Sequence, residues 1–207
     1  MSCNAADHLP TLRLLAGNGG LVKKFVITRS YKVNPPLAAI RIHHAAGNRQ
    51  RGWLEVDGRT IPVALGRGGI LANKREGDGG TPRGTFSPRR LWWRADRHPR
   101  PRTFLPIRVI GPTDAWCEDP ADRHYNRPIR SADDHSGDRL RRDDHLYDFI
   151  IEIDHNARPR IAGRGSAVFL HLARPQFAPT AGCVAMTRSS MLRLLQRLGP
   201  RTKIIIA

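Results

Sequence analysis

The sequence predicts a mainly β domain, a sandwich or partial barrel with a single helix after Cys183. Three observations predict it. Apolar residues gather in short runs of strand length, bounded by Gly, Pro, Asn and Asp. The 207-residue chain carries 19 Gly and 16 Pro, which makes it rich in turns and unlike a helical bundle. Near the C-terminal end one stretch repeats its apolar residues with a helical period.

In chain order, residues 1–34 read as a flexible N-terminal tail, bounded by the composition change at "VNPP", and residues 35–207 as one domain. "LAAIRIH" (37–43), "GWLEV" (52–56) and "TIPVALG" (60–66) are strands, and Asp57-Gly58 is the turn signal that joins the last two as a hairpin. "GRGGILANKREGDGGTPRGTF" holds too much glycine for the interior of a regular element, so it is a loop leading into a strand at Thr85-Phe86. Residues 111–146 mix Asp, Arg, His and Pro with neither period and read as a long ordered loop or insertion over the sheet. Strands resume at "YDFIIEID" (147–154) and "SAVFLHLA" (166–173). In "TRSSMLRLLQRLG", Met191, Leu194, Leu195 and Leu198 share a helical face, with Thr187 or Ser189 as cap and Gly199 as stop. "TKIIIA" is a final strand.

Lys and Arg number 35 against 18 Asp and Glu, and the net charge of +17 favours anionic partners, anionic polymers included, without selecting among them. Cys3, Cys117 and Cys183 are odd in number and far apart, which excludes a disulfide framework and a CxxC zinc pattern. The opening residues lack a secretory leader pattern, and no apolar run is long enough to span a membrane.

Within "FLHLARPQFAPTAGCVAM", His171 ends an apolar run and Cys183 follows Gly182 after a proline-stiffened loop. A cysteine attacks as thiolate, so a nucleophilic Cys needs a base or a dipole beside it. A loop of this length can fold back to bring His171 to Cys183. Gly182, without a side chain, lets a carbonyl approach the Gly182 and Cys183 amides as oxyanion donors. Against this, a Cys between Gly and Val also suits a small buried hydrophobe, and a His after Val-Phe-Leu suits a core position.

The stretch "GSAVFLHLARPQFAPTAGCVAM", with "KREGDGGTPRGTF" upstream, resembles the catalytic domain of the L,D-transpeptidases, the YkuD-like family of peptidoglycan enzymes, over roughly residues 37–207. The resemblance implies a YkuD-like β-sandwich or partial barrel, Cys183 as nucleophile and His171 as its base. It also implies that the Leu172 carbonyl orients the imidazole, and that Thr180 and Gly182 are motif positions. It implies acyl transfer on peptidoglycan stem peptides through a Cys thioester, no cofactor, and a place in the periplasm or cell envelope. Without a visible leader, a cytoplasmic site is the alternative. Where the common motif has His and Arg, this chain has Ala181 and Ala185, as in a variant subgroup with "TAGCVA". The alternatives are an L,D-carboxypeptidase or amidase using the same Cys, and a non-catalytic basic binding protein.

Other candidates are weaker. Residues 83–102 interleave seven Arg with Trp92 and Trp93, a pattern that suits nucleic acid, yet all but five of the 35 basic residues are Arg throughout, so no specific nucleic-acid site is expected. His135, His145 and His155 fall ten apart, which is poor metal-ligand spacing. Asp143, Asp144, His145 and Tyr147 are expected at the mouth of the site, and Cys117, without a nearby base, is expected to be structural. The glycine-rich loop lacks Gly-Lys-Ser/Thr and is not a phosphate-binding loop.

Overall fold

The computed structural model describes residues 34–130 and 137–207. The expected tail, Cys3 and His135 lie outside the described residues. Pro35–Ala207 forms a compact unit.

Ala39–Ala45 (β1) and Asn48–Val56 (β2) pair antiparallel, and Asp57-Gly58 returns the chain into Arg59–Ala64 (β3). Both turn residues have positive φ, 48° and 69°, as a two-residue hairpin of this hand requires. The glycine-rich segment that follows is irregular except for Ile70–Leu71 (β4) and Thr81–Pro82 (β5), which pair parallel across it. Gly84–Phe86 (β6), Pro88–Trp93 (β7) and Ile107–Val109 (β8) come next. Their arginines had masked β7: Trp92 and Trp93 are buried, so they are core residues and present no face on which a base could stack.

The 111–146 region is more regular than expected. Asp114–Trp116 (β9), Pro128–Arg130 (β10) and Asp138–Arg139 (β11) form a separate three-stranded sheet in the order β10-β9-β11. These strands are two or three residues long, too short to leave a period in the sequence. Phe149–Ile153 (β12), Phe169–Leu172 (β13), Val184–Met186 (β14), the helix Arg188–Leu195 (α1) and Lys203–Ile206 (β15) complete the chain.

The main sheet curls through ten strands in the order β6-β15-β1-β2-β3-β14-β13-β12-β7-β8. Period-two alternation divides its side chains between two apolar clusters. One holds Ile42, Leu54, Val63, Leu91, Ile151, Leu170, Val184 and Met186, and α1 covers it with Met191, Leu194 and Leu195. The Thr187 hydroxyl caps α1 by accepting from the Ser190 amide at 3.3 Å. The other cluster, under the small sheet, holds Trp92, Trp116, Leu140, Tyr147, Ile150, Phe169 and Cys183. No helix among the described residues is long and apolar enough to cross a membrane.

Candidate active site

β13 and β14 run parallel as neighbours, with Leu170 opposite Val184 and His171 opposite Ala185. Cys183, two residues before Ala185, therefore lies on the same sheet face as His171 and one rung along the adjacent strand. The loop between the strands is strapped to the end of β3: the Thr180 amide donates to Leu65 O and the Arg67 amide to Thr180 O, both at 2.9 Å. The upstream Thr-Pro motif supports the same corner, since Thr81 Oγ1 accepts from the Gly66 amide at 2.9 Å.

His171 is buried, and its Nδ1 lies 2.8 Å from the carbonyl of Leu172. A carbonyl only accepts, so Nδ1 carries the hydrogen and Nε2 keeps its lone pair. Burial, with lesser help from the Arg174 and Arg142 charges, pushes the imidazole pKa down to about 4. The ring is thus neutral at pH 7. Because its folded pKa lies below the unfolded value of about 6.5, the unfolded chain takes up a proton first as the pH falls, and stability present above pH 6.5 is lost on the way to pH 4. We expect about 3 kcal/mol from this one group. Urea denaturation of wild type and His171→Gln at pH 7 and pH 4.5 checks it: the gap between the two proteins should shift by most of that amount, and a constant gap would contradict it.

The Cys183 thiol donates to Ala167 O at 3.2 Å and accepts from the Phe169 amide at 3.4 Å, so its hydrogen bonds go to main chain and not to the imidazole. Burial pushes its pKa up to about 12; the Asp138 and Glu118 charges act in the same direction, and the Phe169 amide and Lys74 oppose it. The resting pair is therefore neutral thiol and neutral imidazole, not a preformed ion pair.

Gly182 has φ 146°, and a Cβ there would meet Gly80 O at 2.9 Å, so this position needs glycine on two counts. Its amide is already engaged, donating to Thr180 Oγ1 at 3.1 Å, while that hydroxyl donates to Cys183 O at 2.6 Å. To serve as an oxyanion donor the Gly182 amide would first have to leave Thr180. Thr180 acts as the staple of the loop, because one short hydroxyl can both donate and accept.

Of the residues expected at the mouth, Tyr147 comes closest. Its ring meets that of His171 edge-on at 5.3 Å and that of Phe169 at 6.3 Å, and its hydroxyl donates to Asp138 at 2.5 Å. Asp144 is engaged by Arg142 at 2.7 Å, and exposed His145 by Asp148 at 2.8 Å. Lys74 was missed as an individual residue: it is buried, donates to Asp78 at 2.5 Å, and its Cε lies 3.7 Å from where a Gly182 Cβ would stand. Its place in the "KREGDGG" loop was the available signal, but sequence separation hid its nearness to the cysteine. Ala181 is exposed, whereas Ala185 is buried between His171 and Ala64, where an arginine would not fit without displacing its neighbours. Cys117 is buried away from solvent, and burial raises its pKa. Among the described residues no group of His, Cys, Asp or Glu is arranged to hold a metal.

No curated protein matches the chain. A crystal structure of a cysteine-to-serine mutant of an Enterococcus faecium L,D-transpeptidase aligns with it at 12% identity and a TM-score of 0.37, covering 84% of this chain. This chain spans about half the length of that one, 50%. The family described as the L,D-transpeptidase catalytic domain, YkuD, matches residues 46–206, and the chain belongs to that family.

Proposed function

We propose that the protein is a cysteine-dependent acyltransferase acting on peptidoglycan stem peptides, with Cys183 as nucleophile and His171 as base. One observation carries the reading: on adjacent parallel strands, an imidazole whose Nδ1 is tied to the Leu172 carbonyl keeps a free Nε2 on the face that carries the thiol. A backbone carbonyl here fills the orienting role that a carboxylate fills elsewhere.

In the first step the Cys183 side chain leaves Ala167 O to bring Sγ within reach of Nε2. The thiol proton passes to Nε2, the sulfur pair attacks the stem-peptide carbonyl, and main-chain amides near Cys183 stabilise the oxyanion, Gly182 joining once it has left Thr180. The C–N bond then breaks, and His171 returns its proton to the departing amine. An incoming amine loses its proton to His171, attacks the thioester and restores the thiol. Water in its place gives hydrolysis, the carboxypeptidase outcome. Peptidoglycan as substrate places the work in the bacterial cell envelope.

Incubation with a stem tetrapeptide, followed by intact mass measurement, tests the reading. A covalent adduct that maps to Cys183 and is released by an amine is expected; a protein that remains unmodified while binding the peptide would instead be the basic binding protein.

The exposed position of Ala181 leads to a further expectation. An imidazole introduced there stays near its ordinary pKa of about 6.5 and acts through solvent, so Ala181→His should move the alkylation profile of Cys183 to lower pH by less than about one unit. Alkylation rate against pH for both proteins measures it, and superimposable curves would mean that position 181 does not face the thiol.

A further inference from the structure

A cleft of about 250 Å³ opens beside Phe169, lined by Arg89, Arg90, Arg127, Arg160, Glu152 and Trp116 among others. Its lining draws on both apolar clusters, Trp116 and Phe169 from the one that holds the cysteine and Ile153 and Val168 from the other. Glu152 pairs with Phe169 across β12 and β13 and with Arg90 across β12 and β7, so these three side chains form one row, and His171 is the next residue of that face along β13. Phe169 belongs to both places: its side chain lines the cleft and its amide donates to Cys183 Sγ.

Charge in the cleft is unbalanced. Glu152 is its one carboxylate, and that group is already shared among Arg90 at 3.0 Å, Arg89 at 3.6 Å and the Trp92 indole at 3.0 Å. Among the described residues Arg127 has no ion pair, and Arg160 donates only its Nε, to Asn126 O at 3.3 Å. Burial and the charges of Arg127, Arg89 and Arg158 lower the Arg160 pKa, the signature of guanidinium groups crowded without a counterion. Guanidinium forks match planar carboxylates, and several focused on one recess draw in an anion.

We infer that this arginine cleft is a subsite for a carboxylate of the acidic stem peptide, holding the chain while a carbonyl a few residues away meets Cys183. Phe169 stands beside Cys183 in the register of β13 and β14, so Glu152 lies two strands and Arg90 three strands across from the thiol. At about 4.8 Å per strand this is a span that an extended peptide, rising about 3.3 Å per residue, covers in about three or four residues. The inference rests on the proposed function for its ligand, but binding can be measured without any acyl transfer.

The test uses the full chain with Cys183→Ala to prevent turnover, and calorimetric titration with a stem tetrapeptide bearing free carboxylates or with the same peptide amidated. The free acid is expected to bind tenfold or more tightly than the amide. Arg127→Gln combined with Arg160→Gln should remove that preference, whereas Arg201→Gln, in an exposed turn, should keep it. Both cleft substitutions are at residues with solvent exposure, and circular dichroism checks that the fold is kept. Equal binding of acid and amide by the parent protein, or an unchanged preference in the double variant, would overturn the subsite. Displacement of the acidic peptide by inorganic pyrophosphate at lower concentration than by succinate would overturn the carboxylate assignment in favour of a phosphate site. Loss of the preference while wild type forms no thioester would leave the subsite standing and the acyl-transfer reading failed; a thioester without any preference does the reverse.

Discussion

Replacing Cys183 by Ala should reduce acyl transfer to the uncatalysed background while the protein stays folded. The thiol supplies the only atom that becomes bonded to substrate in the proposed cycle, and no neighbouring group can take its place. Structurally the change is small: it removes one sulfur and leaves Ala167 O and the Phe169 amide without their contacts to it, a cost of about 1–3 kcal/mol for each buried group left unpaired. Cys117→Ala, in the core and away from His171, should leave the activity nearly unchanged. Amine-dependent release of cross-linked peptide, measured beside the thermal midpoint, checks both. Turnover by Cys183→Ala at the wild-type rate would remove the nucleophile from the proposal.

Loss of His171 comes second in size. His171→Ala should slow thioester formation by about 10²-fold to 10⁴-fold, the usual contribution of a positioned base. The resting thiol, with its pKa pushed up to about 12, makes the dependence on a base stronger, since very little thiolate is present at pH 7 without one. The pH profile carries the distinguishing detail. With the imidazole pKa near 4, wild-type acylation should lose its base only as the pH falls toward 4, well below the pH 6.5 at which an exposed histidine would fail. Single-turnover acylation from pH 4 to 8 measures this. A wild-type acid limb at pH 6.5, or an His171→Ala protein that acylates as wild type does, would transfer the role to another group. His155, whose Nε2 is held by the Arg164 carbonyl, and exposed His145 are the alternatives in the chain.

Local order made part of the fold legible. Asp57-Gly58 announces a hairpin because both residues tolerate positive φ, and the spacing of Met191, Leu194 and Leu195 announces a helix because one face must be covered. For the Gly-Cys pair and the upstream histidine, local residues left a catalytic and a core reading open, and it was the resemblance of the longer motif that pointed to the contact between His171 and the Leu172 carbonyl. Strands of two or three residues, such as β9 and β11, left no periodic trace, and the arginines of β7 disguised a strand whose tryptophans are core.

What the sequence by itself determined is therefore the class of fold and the family, since turn residues, periodicity and motif order are all properties of near neighbours in the chain. Only the tertiary structure decided how Cys183 and His171 rest: a thiol turned toward Ala167, an amide of Gly182 held by Thr180, Tyr147 against the imidazole, and an arginine cleft that shares Phe169 with the thiol. Those features depend on strand register, and on which residues from distant segments are excluded from water together. Burial then sets the protonation of His171 and Cys183, because the cost of charge in a low-dielectric interior depends on everything packed around the group and not on its sequence neighbours.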